Sequence, residues 1–151
     1  LAIIYREYFS LEQLVLDQRE KVAQKLMQHG VKATPQRLEV GLVILAGPCH
    51  LSAEQIISRL RAVGSSVSKA TVYNTLNLFS RQGILREVAV DPSRLFYDST
   101  TTSHHHFYNE DTGELIDFDA AGLQIDNMPG LPDGTVEQSL ELVVRIRNRS
   151  D

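Results

Sequence analysis

Ser68-Lys69-Ala70-Thr71-Val72-Tyr73-Asn74-Thr75-Leu76-Asn77-Leu78-Phe79, continuing past Gly83 into Ile84–Val90, Asp91-Pro92-Ser93 and Arg94–Tyr97, decides how this chain folds. Ser68 is of N-cap type, Val72, Leu76 and Phe79 recur at helical spacing, and Gly83 suits a helix stop, which predicts a helix over Lys69–Gln82. After Gly83 the apolar period changes, and two short strands flank an Asp-Pro-Ser turn. A helix that runs into a hairpin, with further short helices before it, is the winged form of the helix-turn-helix. Helix four is then the recognition helix and the hairpin its wing.

The preceding segments supply those helices. Ser52-Ala53-Glu54-Gln55 has the form of a capping box, with Ile56, Ile57 and Leu60 on a buried face as far as Gly64. Thr34-Pro35 reads as an N-cap followed by proline at the first helical position, and Leu38, Leu42 and Leu45 continue an apolar stripe. Ser10 is a candidate cap for a first helix through His29, with Leu11, Leu14, Val15, Val22 and Leu26 on one face and Gly30 ending it.

Beyond the hairpin the pattern is β-rich. Strands are predicted at His104–Tyr108, Leu115–Phe118 and Ser139–Ile146, with a turn at Asp111-Thr112-Gly113. Three glycines and two prolines between Ala120 and Thr135 leave room for a short helical piece at most. The expected class is α+β: a winged-helix DNA-binding domain over residues 1–98 and a small α/β domain over 99–151. A three-stranded sheet has little core of its own, so pairing with a second copy is expected, through Leu140, Leu142, Val143, Val144 and Ile146.

Composition narrows the function. The net charge of −4 is unevenly spread: residues 1–88 carry 11 Lys and Arg against 7 Asp and Glu, whereas residues 89–151 carry 4 against 12. Such asymmetry suits a nucleic-acid-facing part joined to an acidic part with another task. No apolar run reaches the length of a membrane span and no secretory signal is evident, so the expected address is the cytoplasm, with no membrane partner. The single Cys49 excludes an internal disulfide and a thiolate zinc knot. A metal would have to be held by imidazole and carboxylate.

His104-His105-His106 brings together three of the five histidines of the chain. In a strand, His104 and His106 project to one side and His105 to the other, so one ion can take the outer two. On helix four, Ser68, Lys69, Thr71, Tyr73 and Asn74 belong to an exposed face. Lysine and hydroxyls suit phosphates, Asn can read adenine, and a tyrosine ring can pack on a thymine methyl. Lys32, Gln36 and Arg37 at the start of helix two could bind phosphate or an adjacent groove. The plainer alternative makes Tyr73 half-buried core and Lys69 a solvated charge.

Several ordered phrases together resemble the ferric uptake regulator (Fur) superfamily over about residues 10–148. They are Gly30-Val31-Lys32-Ala33-Thr34-Pro35-Gln36-Arg37, His50-Leu51-Ser52-Ala53-Glu54, Ala70-Thr71-Val72-Tyr73-Asn74-Thr75-Leu76, the three histidines, and Gly113-Glu114-Leu115-Ile116-Asp117-Phe118. The nearest likeness is to its iron response regulator (Irr) branch, through Tyr97-Asp98, the triple histidine, Asn127-Met128-Pro129 and Leu142–Arg147. The peroxide-sensing PerR branch is second. The resemblance implies a C-terminal dimerisation and metal-sensing domain, a homodimer on double-stranded DNA at an AT-rich palindromic operator, and control of iron, haem or oxidative-stress genes.

It also implies a ligand set. His50, Asp98 and Asp117 fall on the positions of the peroxide-sensing branch's regulatory ligands and would join His104 and His106. Such a site suits Mn²⁺ or Fe²⁺, with Zn²⁺ able to occupy it as well. Asp117 could instead be a surface acid near a turn, and His50 could cap helix three. The CxxC pairs of many members are replaced by Asn109 and Thr112, so a four-cysteine structural zinc is not expected. A second site of the ferric-uptake branch has Ser103 and Gln124 where ligands would stand. Haem is a further candidate ligand of His104, His105 and His106, although Pro48-Cys49 reverses the Cys-Pro haem motif. Peroxide sensing would need no extra residue, since iron at the His/Asp set could oxidise a ligand histidine. Two other classes fit less well: a His/Asp metalloenzyme, for which no separate nucleophile or base is evident, and a nucleoid-type binder indifferent to metal.

Overall fold

The structure, a computed structural model, describes residues 2–149, with side chains described from residue 11. It divides into two compact units between Thr101 and Thr102, three residues beyond the break expected after Asp98.

The first unit contains α1 (Ala2–Gln28), α2 (Pro35–Ile44), β1 (His50–Ser52), α3 (Ala53–Ala62), α4 (Lys69–Arg81), β2 (Arg86–Asp91) and β3 (Arg94–Asp98). Local chemistry sets most of these boundaries. Thr34 caps α2 by accepting from the Arg37 N–H, with Pro35 at its first position. At α3 the capping box is complete, because Ser52 Oγ accepts from the Gln55 N–H and Gln55 Oε1 accepts from the Ser52 N–H. Ser68 caps α4 through the Thr71 N–H. Gly30, Gly64 and Gly83 follow α1, α3 and α4 with φ of +72°, +78° and +72°, the left-handed turn that lets the chain leave a helix.

Several details differ from expectation. Of the apolar residues expected along one face of α1, Val22 and Leu26 are buried, while Leu11, Leu14 and Val15 are exposed, and the first hairpin strand starts at Arg86 rather than Ile84. Ser10 lies inside α1, which begins at Ala2, so it is not a cap; an N-cap serine works only where the preceding backbone is non-helical. Helix α2 buries Leu38, Val40, Gly41 and Ile44, leaving Leu42 and Leu45 half-buried, because its inner face turns toward α1 and α3. Helix α4 ends at Arg81, with Gln82 as its C-cap. The short strand β1 has no counterpart in the sequence pattern. It pairs antiparallel with β3 and makes a three-stranded sheet in the order β1-β3-β2.

The core of this unit joins Val22 and Leu26 of α1, Val40 and Ile44 of α2, Ile56 and Leu60 of α3, and Val72, Leu76 and Phe79 of α4. Ile84, Leu85 and Tyr97 close it from the hairpin side. Each such side chain contributes roughly 1.5–3 kcal/mol when fully buried. The stabilisation therefore lies in the helical cluster, and α4 presents its opposite face outward.

The second unit contains β4 (His105–Asn109), β5 (Glu114–Phe118), a 3-10 turn at Ala120–Gly122 and β6 (Val143–Ile146). The sheet order is β5-β4-β6, with β5 antiparallel and β6 parallel to β4. The last strand starts at Val143 rather than Ser139. Reaching a parallel register from the end of β5 needs a long return, and residues 123–142 provide it. Among the described residues of this unit, Tyr108 and Leu115 are the buried apolar side chains, alongside the buried His104, His105 and His106.

Candidate metal centre and DNA-binding face

Each unit carries a cross-strand His/Asp pair. In the first, His50 of β1 stands opposite Asp98 of β3 in the antiparallel register, so both side chains leave the sheet on the same side, neighbours at about 4.5–5.5 Å between Cβ atoms. Asp98 is buried, and its Oδ1 accepts the Thr100 N–H at 2.8 Å. Ser99 clamps the strand ends together: its Oγ accepts the Cys49 N–H and donates to the Gly47 carbonyl, while its N–H donates to the Cys49 carbonyl. His50 is not the cap of α3; Ser52 holds that position.

In the second unit, His106 of β4 stands opposite Asp117 of β5. His106 Nε2 is 3.1 Å and His104 Nε2 is 3.3 Å from the same oxygen, Asp117 Oδ1. The two rings meet edge to face with centroids 4.6 Å apart. His104 Nδ1 lies 2.7 Å from the Thr102 carbonyl, which can only accept, so Nδ1 carries a proton and, in the neutral ring, the Nε2 lone pair points at the carboxylate. A lone pair against an anionic oxygen is repulsive until a proton or a cation stands between them. Two imidazole nitrogens and a carboxylate oxygen converging in this way fit a borderline divalent ion, and no thiolate is offered that would favour Cu(I).

His105 has a different role. It is turned to the other side of β4, buried, and its ring packs against Phe118 with centroids 5.5 Å apart. The Leu142 N–H donates to its Nδ1 at 3.2 Å, so that nitrogen is already engaged. As held, His105 ties the segment before β6 to β4 and does not offer itself to a haem iron, which leaves that expectation with His104 and His106.

One residue escapes sequence reasoning. Glu141 Oε1 stands 3.1 Å from His106 Nδ1, on the far side of the ring from Asp117. The available signal is a lone carboxylate inside the apolar run Leu140–Val144.

The residues expected to face DNA gather around α4. Ser68 Oγ and Thr71 Oγ1 are 2.9 Å apart at its start, and Lys69, Tyr73 and Asn74 are exposed along it. A groove of about 290 Å³ between α2 and α4 is lined by Thr34, Gln36, Arg37, Thr71, Asn74 and Thr75. Arg37 donates to the Lys32 carbonyl at 3.0 Å, which sets its guanidinium beside the exposed Lys32. Tyr73 is 39% exposed, too open for a core residue, and its hydroxyl donates to Glu54 Oε1 at 3.2 Å. Partial burial and then the Glu54 carboxylate hold the phenol above its ordinary range, so it remains a neutral donor.

Residues 28–128 match the Ferric uptake regulator family. The chain belongs to that family. Over 108 residues it is 32% identical to the peroxide-responsive repressor PerR of Staphylococcus aureus, covering 72% of each protein. The ferric uptake regulator of Vibrio cholerae is 27% identical in sequence and superposes with a TM-score of 0.63, over 83% of this chain and 98% of that one. The manganese-containing structure of the Pseudomonas aeruginosa ferric uptake regulator, 24% identical, superposes at 0.62 over 84% and 97% and supports the fold alone. As a Fur-family protein the chain is a metal-dependent DNA-binding transcription regulator and not an enzyme, which removes the metalloenzyme reading. No described helix is long and apolar enough to cross a membrane.

Proposed function

We propose that this regulator is a cytoplasmic bacterial homodimer that binds an AT-rich palindromic operator when a divalent ion, Mn²⁺ or Fe²⁺, is held by His50, Asp98, His104, His106 and Asp117. Residues 1–98 would read DNA and residues 99–151 would dimerise and sense. The observation that carries this reading is the convergence of two Nε2 atoms on Asp117 Oδ1, an arrangement that a cation stabilises. When bound, the ion supplies positive charge among ligands drawn from both units. His50 and Asp98 would then be fixed relative to the β4–β5 pair, and α4 with them. Metal would act as a population shift toward one spacing of the two recognition helices. In and beside the groove, Lys32, Arg37, Ser68, Lys69 and Thr71 would take phosphates, while Gln36, Tyr73 and Asn74 would face bases.

The signal follows the Irr-like phrases, which favour control of iron and haem genes. A peroxide signal is the second reading, supported by the likeness to PerR and by a ligand set without thiolate. Footprinting on a palindromic AT-rich duplex with apo protein, Mn²⁺, Fe²⁺ plus peroxide, and haem separates these. Protection that needs Mn²⁺ and survives peroxide supports the iron reading. Loss on Fe²⁺ plus peroxide, with added oxygen on His50 or His104 by mass spectrometry, supports the second. Equal protection without any metal overturns both.

A further inference from the structure

We infer that Glu141 is a positioning residue for the metal centre, acting through His106; this rests on the proposed ligand role of that histidine. His106 is fully buried, and its two ring nitrogens face two carboxylates: Nε2 lies 3.1 Å from Asp117 Oδ1 and Nδ1 lies 3.1 Å from Glu141 Oε1. Nδ1 and Oε1 are both shut off from solvent, and although their approach falls short of hydrogen-bond geometry, each is the polar atom nearest to hand for the other, a pairing that a proton on Nδ1 makes favourable. With the proton there, Nε2 keeps its lone pair on the side where His104 and Asp117 converge. A carboxylate behind a ligating imidazole fixes the ring, selects the tautomer and raises the basicity of the metal-facing nitrogen.

The backbone places Glu141 where it can do this. The His106 N–H donates to the Leu142 carbonyl at 3.0 Å, the Leu142 N–H donates to His105 Nδ1, and His106 is in parallel register with Val143. The residues just before β6 are thus fastened to the histidine strand on both sides of Leu142, and Glu141 is delivered against the His106 ring. His104 obtains the same service from the Thr102 carbonyl. The two histidines therefore differ in what backs them: a neutral carbonyl for one and an anionic carboxylate for the other.

The test uses the full chain. Long-range ¹⁵N–¹H spectra of the zinc-free wild type should find His106 in its Nδ1–H tautomer; the Nε2–H tautomer would overturn the inference whatever the variants do. Glu141→Ala should weaken Mn²⁺ binding by calorimetry about 10–100-fold, the usual effect of removing such a partner. Glu141→Gln, which keeps an acceptor but no charge, should fall between that variant and wild type and restore the tautomer. His106→Ala separates the two levels of argument. If His106→Ala loses Mn²⁺ while Glu141→Ala binds it as wild type does, Glu141 has no such role; if His106→Ala still binds, the ligand set itself is wrong.

Discussion

His105 and His106 are adjacent, both buried, and do opposite things. His106 turns Nε2 to Asp117, whereas His105 accepts the Leu142 N–H and packs on Phe118. His105→Ala should therefore lower thermal stability, by about 1–3 kcal/mol for the orphaned donor alone, and leave Mn²⁺ affinity within a few-fold at temperatures where the chain stays folded. His106→Ala should do the reverse in kind and abolish binding; calorimetry and thermal melts on both variants decide the matter. On the DNA side, Tyr73→Ala should remove sequence-selective protection in footprinting with an unchanged far-UV spectrum, since its ring is exposed and tethered through Glu54. Retained selectivity would return Tyr73 to a structural role. Strand alternation alone separates His105 from its neighbours. That Asp117 faces both outer histidines depends on pairing with a different strand, and the partner of His105 lies further along still, which no local pattern can report.

Helix ends are legible because their determinants sit within a few residues. The caps Thr34, Ser52 and Ser68 and the left-handed glycines after α1, α3 and α4 are each visible in a short window, and each forms as local chemistry dictates. Ser10 shows the limit, since a cap-type residue also sits inside a longer helix. Strand β1 is hidden for a related reason: three residues have no period, and their extended state comes from pairing with β3. Packing between α1 and α2 is equally invisible in a short window. A Cβ on Gly41 would lie 2.6 Å from Val22 Cγ1, on a stiff β-branched side chain. The gain in helix propensity of about 1 kcal/mol is then opposed by overpacking of roughly 1–3 kcal/mol. Gly41→Ala should melt below wild type, and adding Val22→Ala should recover part of the loss. A single variant more stable than the parent would contradict this packing.

At the scale of the molecule, the second unit has little apolar core of its own among the described residues. Ile116 of β5, Phe107 of β4 and Val144 of β6 form one row across the sheet, and Ile116 and Val144 are 41% and 40% exposed. An apolar row on a sheet whose buried apolar side chains, among the described residues, are Tyr108 and Leu115 is the kind of face that a second copy covers. Ile116→Asp with Val144→Asp should shift sedimentation from dimer to monomer and lower operator affinity, while a dimer that persists would place the interface elsewhere. Chelation should remove operator binding without dissociating the dimer, because His106 projects from the opposite side of β4 to that row. Capping, period and ordered motifs act over short spans, so the chain specifies its helices, its wing, its family and the identity of every proposed ligand without reference to distant contacts. Long-range pairing alone establishes that His50 faces Asp98, that His104 and His106 share one oxygen of Asp117, and that Glu141 backs His106. Those are register facts: antiparallel and parallel hydrogen bonding choose which distant residues stand opposite each other, and a slip of one residue would send the strand's side chains to the other face.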